Sequence, residues 1–112
     1  MKRDANTYLL DLLEAGEHIR VFTQGMSLED YSKNELVKAA VERKFAVIGE
    51  ALVGIRESAP ELLGDISGAE KIIGFRNVLV HGYAIIDDAT VWSAIENNLT
   101  TLLEETRVLY NA

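Results

Sequence analysis

The chain contains no cysteine, a single proline and only two histidines, His18 and His81. Without cysteine there are no disulfides and no thiolate metal sites. With so little histidine a His-rich metal centre is also unexpected, which leaves carboxylates as the only plausible ligands for a divalent ion. One proline among 112 residues gives few places for a helix to be broken. Long apolar runs are missing too. No stretch approaches membrane-spanning length, and Met1-Lys-Arg-Asp-Ala-Asn6 lacks the apolar core of a signal peptide, so a cytoplasmic protein with no membrane partner is expected. Nor is there a cationic excess. A net charge of −7 opposes non-specific adhesion to a polyanion, whose affinity comes from phosphate neutralisation by Lys and Arg. Any contact with nucleic acid must therefore be local, through a small cationic pocket.

What is present is apolar residue at helical spacing. A hydrophobic content of 48% over a length suited to one core predicts a single domain spanning residues 1–112. Tyr8, Leu9, Leu12, Leu13, Gly16, Ile19 and Phe22 predict a first helix over residues 3–24, stopped by Gly25. His18 lies beside that stripe and reads as a surface or boundary residue. Residues 26–32 form a connector in which Ser27 and Asp30 could cap a short turn. Val37, Val41, Phe45, Ile48, Leu52 and Ile55 then mark one face of a helix over residues 33–58. A second line on it carries Arg43, Val47, Glu50 and Gly54, and Gly49 and Gly54 would let another backbone or a partner chain come close. Pro60 suits the first position of a short helical turn ended by Gly64 and Asp65. Past the turn that follows Tyr83, Asp87 or Asp88 caps a last helix buried through Val91, Ile95, Leu99, Leu102, Thr106 and Leu109. No strand-like alternation occurs, so the expected fold is all-α, an antiparallel four-helix bundle with a short extra helical turn.

The remaining long helix is the unusual one. Ser67 followed by Glu70 is a capping-box pattern and places its start at Ser67. Ile72, Ile73, Phe75, Val78, Leu79 and Val80 leave little room for a solvent face, so the helix should be packed on most sides while carrying Arg76, Asn77 and His81, with Tyr83 following. At about 100° per residue, Glu70, Gly74, Asn77 and His81 form one polar line, whereas Arg76 and His81 point roughly 140° apart on a straight helix. A bend, the reach of the arginine, or a second copy of the chain across a two-fold axis would reconcile them; the last two together are preferred. Gly82 suits the residue past a helix end, placing His81 in the last turn, where the helix dipole favours imidazolium. On the residues alone, a buried Arg–Asn–His network that merely specifies packing is the favoured reading. Arg43 and Glu50, seven residues apart, read either as an exposed charge pair or as groups that orient Arg76 and His81 from behind.

The segment Arg76-Asn-Val-Leu-Val-His-Gly-Tyr83, with its Arg-x4-His-x-Tyr spacing, resembles the signature of HepT-like toxins in the HEPN superfamily. Ala40-Val-Glu-Arg-Lys-Phe-Ala-Val-Ile-Gly-Glu-Ala51 is similar to that family's second-helix pattern, and Ile85-Ile-Asp-Asp-Ala-Thr-Val-Trp92 to the segment after its motif. One departure is visible: members often place a Trp near the start of the motif helix, where this chain has Ala69. The resemblance implies a homodimeric helical bundle acting as a metal-independent ribonuclease toxin, without cofactor. It also implies a small nucleotidyltransferase antitoxin as partner, able to move AMP from ATP onto the motif tyrosine. Carried onto this sequence, Arg76 and His81 are catalytic, Asn77 and Tyr83 bind or orient the substrate, and Tyr83 is the hydroxyl that becomes modified. The chemistry suits the residue types. Attack by an RNA 2′-OH needs a proton-handling group near neutrality and a permanent, fork-shaped cation on the phosphate oxygens. The alternative is a non-catalytic module in which the same motif binds a nucleotide or partner, or serves only as a modification site.

Overall fold

Helix starts in this protein are written by short side chains that turn back onto the backbone. The computed structural model describes residues 4–81 and 86–112. Asp4 accepts from the Asn6 N–H and opens α1, Ala5–Thr23. Ser27 and Asp30 form a reciprocal capping box at α2, Leu28–Ser32. Asn34 accepts from the Val37 N–H to begin α3, Glu35–Ser58. Pro60 occupies the first turn of α4, Pro60–Leu63, where its missing N–H costs nothing. The motif helix is α5, Ala69–His81. Asp87 caps α6, Asp88–Asn97, and α7, Leu99–Tyr110, completes the chain.

The core is built on α3. Its Val41, Ile48, Leu52 and Ile55 are fully buried against Leu9, Leu12 and Ile19 of α1, with Leu99 and Leu103 of α7 in the same cluster. α1 and α7 run side by side: Leu103 lies over Gly16, and Arg107 pairs with Glu17 at 3.2 Å. α2 contributes Tyr31, wholly buried and tilted against Trp92 of α6 with ring centroids 5.4 Å apart. The result is the expected all-α bundle, and no strand occurs among the described residues.

It departs from expectation in its details. The last helix is divided at Asn98, which closes α6 by donating its N–H to the Ala94 carbonyl while its own carbonyl accepts from Leu102. Two short helices, α2 and α4, stand where one extra turn was expected. Ser67 and Glu70 do not form a capping box. Ser67 donates its N–H and its hydroxyl to the two oxygens of Glu105, at 3.1 and 3.0 Å, and Glu70 turns to Arg56. Gly68, at φ +72°, bends the chain into a helix that begins at Ala69. The largest correction concerns burial: only Ala69 and Ile73 of α5 are buried, and Val78 and Val80 are 55% and 43% exposed. Composition shows how apolar a helix is but not what covers it, and within one chain only part of the surface of α5 is covered.

Candidate functional site

One glycine contact and one ion pair determine where the motif arginine goes. Gly49 of α3 faces the stem of Arg76: a Cβ built on Gly49 would lie 2.2 Å from Arg76 Cβ and 2.5 Å from its Cγ. Nothing larger than hydrogen fits there, so α3 and α5 approach closely and the arginine runs out along the seam between them. At the end of that run Arg76 Nη2 donates to Glu50 Oε1 at 3.1 Å, and Nη1 donates to Asn77 Oδ1 at 2.9 Å. Gly54, the other glycine on this helix, admits the Tyr8 ring instead.

Farther along the seam the arrangement is reversed. Arg56 of α3 donates to both oxygens of Glu70 on α5, at 3.4 and 3.1 Å. Arginine and carboxylate have exchanged helices between the two bridges, which is how antiparallel neighbours present the same spacing to one another. Both carboxylates are more than half exposed, whereas the Arg76 side chain is only 22% exposed and its buried Nε has no hydrogen-bond partner among the described residues.

The structure thus brings together Arg76, Asn77 and Glu50, with His81 one turn beyond Asn77 on α5. α5 is helical through His81, which is exposed in the last turn, as is Asn77 one turn earlier. The bonds of Arg76 go to Glu50 and Asn77. Arg43 is exposed on α3, where Glu50 pairs with Arg76 across the helix interface. Tyr83 and Gly82 lie outside the described residues. His18 is exposed and stacks on Phe22, with centroids 5.9 Å apart.

A hollow of about 530 Å³ lies on a different flank of α5, between Phe45, Ile72, Phe75, Ala94 and Leu102. Neither Arg76 nor His81 lines it. What Asn77 and His81 occupy in a single chain is an open ridge.

Beyond the motif, the first turn of α6 is held down by a charged group that the sequence reading did not single out. Lys38 of α3 pairs with Asp88 at 3.1 Å and Glu35 at 3.4 Å; its bond to Asp88 raises its pKa above the usual lysine range. Burial, reinforced by the Asp88 charge, raises the Glu42 carboxyl above its ordinary value, with Lys38 opposing. Burial likewise raises the Tyr31 hydroxyl, which has no hydrogen-bond partner among the described residues. Among those residues no group of three or more His, Cys, Asp or Glu is placed to hold a metal ion, and no helix is long and apolar enough to cross a membrane.

Comparison with known proteins gives the same reading as the motif. The protein named "Putative RNase MJ1216" of Methanocaldococcus jannaschii is 35% identical over 104 residues, covering 93% of this chain and 85% of the relative. "Putative RNase MJ1380" of the same organism is 28% identical over 108 residues, covering 96% and 98%. "Probable ribonuclease HepT" of Thermococcus cleftensis is 31% identical over 102 residues, covering 91% and 92%. No solved structure gives a significant match. The family described as Ribonuclease HepT-like matches residues 12–109, and this chain belongs to that ribonuclease family.

Proposed function

We propose that the protein is a metal-independent RNA endonuclease, the toxin of a toxin–antitoxin pair, whose working site is completed by a second copy of the chain. The observation that carries this reading is the state of α5: its exposed ridge bears Asn77 and His81, Arg76 is fixed in the adjoining seam, and Val78 and Val80 are left uncovered beside them. A second copy packed on Val78 and Val80 would remove that apolar surface from water and set two such ridges across an open cleft containing two imidazoles and two guanidiniums.

In that cleft the RNA 2′-oxygen attacks the adjacent phosphorus as the bond to the 5′-oxygen breaks. One His81 takes the 2′-OH proton and the other supplies a proton to the leaving oxygen, giving a 2′,3′-cyclic phosphate and a 5′-hydroxyl. Arg76 is permanently charged and already oriented by Glu50; it holds the non-bridging oxygens as charge builds on them. Asn77 has its carbonyl oxygen turned to Arg76, leaving the amide donors for phosphate or imidazole.

The same reading assigns neutralisation to a nucleotidyltransferase antitoxin. The Tyr83 oxygen would attack the α-phosphorus of ATP, losing its proton and releasing pyrophosphate. The AMP attached there adds bulk and a negative charge to the residue two after His81.

The test is cleavage of RNA by purified protein in excess chelator. His81→Ala should lower the rate by about 10²–10⁴-fold. Equal cleavage by wild type and variant would end the catalytic assignment. An unchanged mass after incubation with a neighbouring nucleotidyltransferase and ATP would end the Tyr83 assignment alone.

A further inference from the structure

Among the described residues nothing requires Gly74 to be glycine. It lies in the interior of α5, has no positive φ, and a Cβ placed on it would meet none of the described residues within 4 Å. Glycine in a helix interior costs about 0.5–1 kcal/mol relative to alanine, so the bare backbone points to something that approaches from outside. Its position narrows what that is. Gly74 sits on the open line of α5 between Glu70 and Asn77, one turn before Asn77 and two before His81. At one end of that line stands Arg76, and at the other Arg56, 44% exposed and pointing across the same α3–α5 seam to Glu70. Six residues separate the two bridges on each helix, about 9 Å of rise, close enough for both cations to hold phosphates of one strand.

We propose that an RNA strand runs along this ridge, lying closest to the helix at Gly74, with Arg56 as a second phosphate-binding cation beyond Arg76. The inference rests on the proposed nuclease reading and extends it from the reacting phosphate to the path of the strand. The chain's net charge of −7 gives it no general affinity for RNA, so two guanidiniums in one seam matter. Each is held by a carboxylate more than half exposed to water, and strand binding exchanges carboxylate for phosphate at Arg56. Glu70 is then a competitor of the strand.

Binding of a short, fluorescently labelled single-stranded RNA to a His81→Ala background, which cannot cleave, tests this by anisotropy over a range of salt. Arg56→Gln should weaken binding several-fold at low salt and reduce the slope of log K against log salt by about 0.7. Gly74→Leu should weaken it by a similar factor, because its side chain occupies the track. Glu70→Gln should tighten binding; a purely structural ion pair gives no reason for its two members to act in opposite directions. Circular dichroism melting confirms that each variant is folded. If the background protein binds RNA and Arg56→Gln and Gly74→Leu bind it equally well, the strand path is wrong and the nuclease reading stands. If the background protein binds no RNA, the nuclease reading itself fails. If Gly74→Leu instead converts a dimer into a monomer, the bare backbone belongs to a protein partner and the RNA track is overturned.

Discussion

α3 and α5 are neighbours of similar apolar character with opposite fates. α3 buries Val41, Phe45, Ile48, Leu52 and Ile55 and forms the centre of the bundle; α5, with Ile72, Ile73, Phe75, Val78, Leu79 and Val80, fully buries only Ile73 of these. Their glycines differ in the same way. Gly49 on α3 is filled from outside by Arg76, and Gly74 on α5 meets none of the described residues. One helix is covered by its own chain, while the other leaves part of its apolar surface to solvent. Apolar residues beyond what a fold can cover mark an interaction surface, and here that surface carries the motif.

The comparison breaks most visibly at the core. Leu52→Ala should cost about 2–5 kcal/mol in unfolding free energy, measured by urea titration, because a fully buried side chain leaves a cavity among α1, α3 and α7. Val78→Asp should leave the folded chain almost as stable and change its assembly instead, lowering the mass in light scattering from dimer to monomer together with the RNA cleavage rate. A loss of fold in Val78→Asp as large as that in Leu52→Ala would mean that α5 is as much core as α3.

The two glycines sharpen the contrast because the same substitution should act with opposite sign. Gly49→Ala forces the Arg76 stem away from α3 and should cost about 1–3 kcal/mol as overpacking. It should also slow RNA cleavage, since the guanidinium leaves Glu50. Gly74→Ala meets no obstacle among the described residues and should stabilise the chain by about 0.5–1 kcal/mol in the absence of RNA. Paired thermal melts with and without RNA check both.

How much of this was legible follows from how far apart the partners are. Ser27 with Asp30, and Pro60, act within one turn of chain, and the structure uses them where local chemistry places them. Ser67 with Glu70 has the same local pattern and fails, because Glu105, 38 residues away, and Arg56, 14 residues away, take the two side chains. Gly49 was readable as a place of close approach; that the approaching group would be Arg76 was not, since register between helices is a tertiary property. The polar line of Asn77 and His81 was readable from spacing. Its exposure was hidden by the valines around it, and Arg56 carries no local signal at all.

The smallest expected effect concerns the tie that holds α6 to α3, just after the motif. Burial first, and then the Asp88 charge, raise the Glu42 carboxyl above its ordinary value, so the folded state binds its proton more readily than the unfolded chain does. Between the unfolded and folded pKa values the native state holds more protons, and stability therefore falls as pH rises through that window. Above it the full cost of an ionised Glu42 beside Asp88 is present; below the ordinary glutamate range it is absent. Glu42→Gln removes that cost, and because the group is partly exposed, water weakens the effect. The variant should melt at most a few degrees above the wild type at pH 7, and the difference should vanish when both are melted at a pH below the ordinary glutamate range. A difference that persists unchanged in acid would show that Glu42 acts through packing and not through its charge, and would remove Asp88 repulsion from the account of how α6 is held.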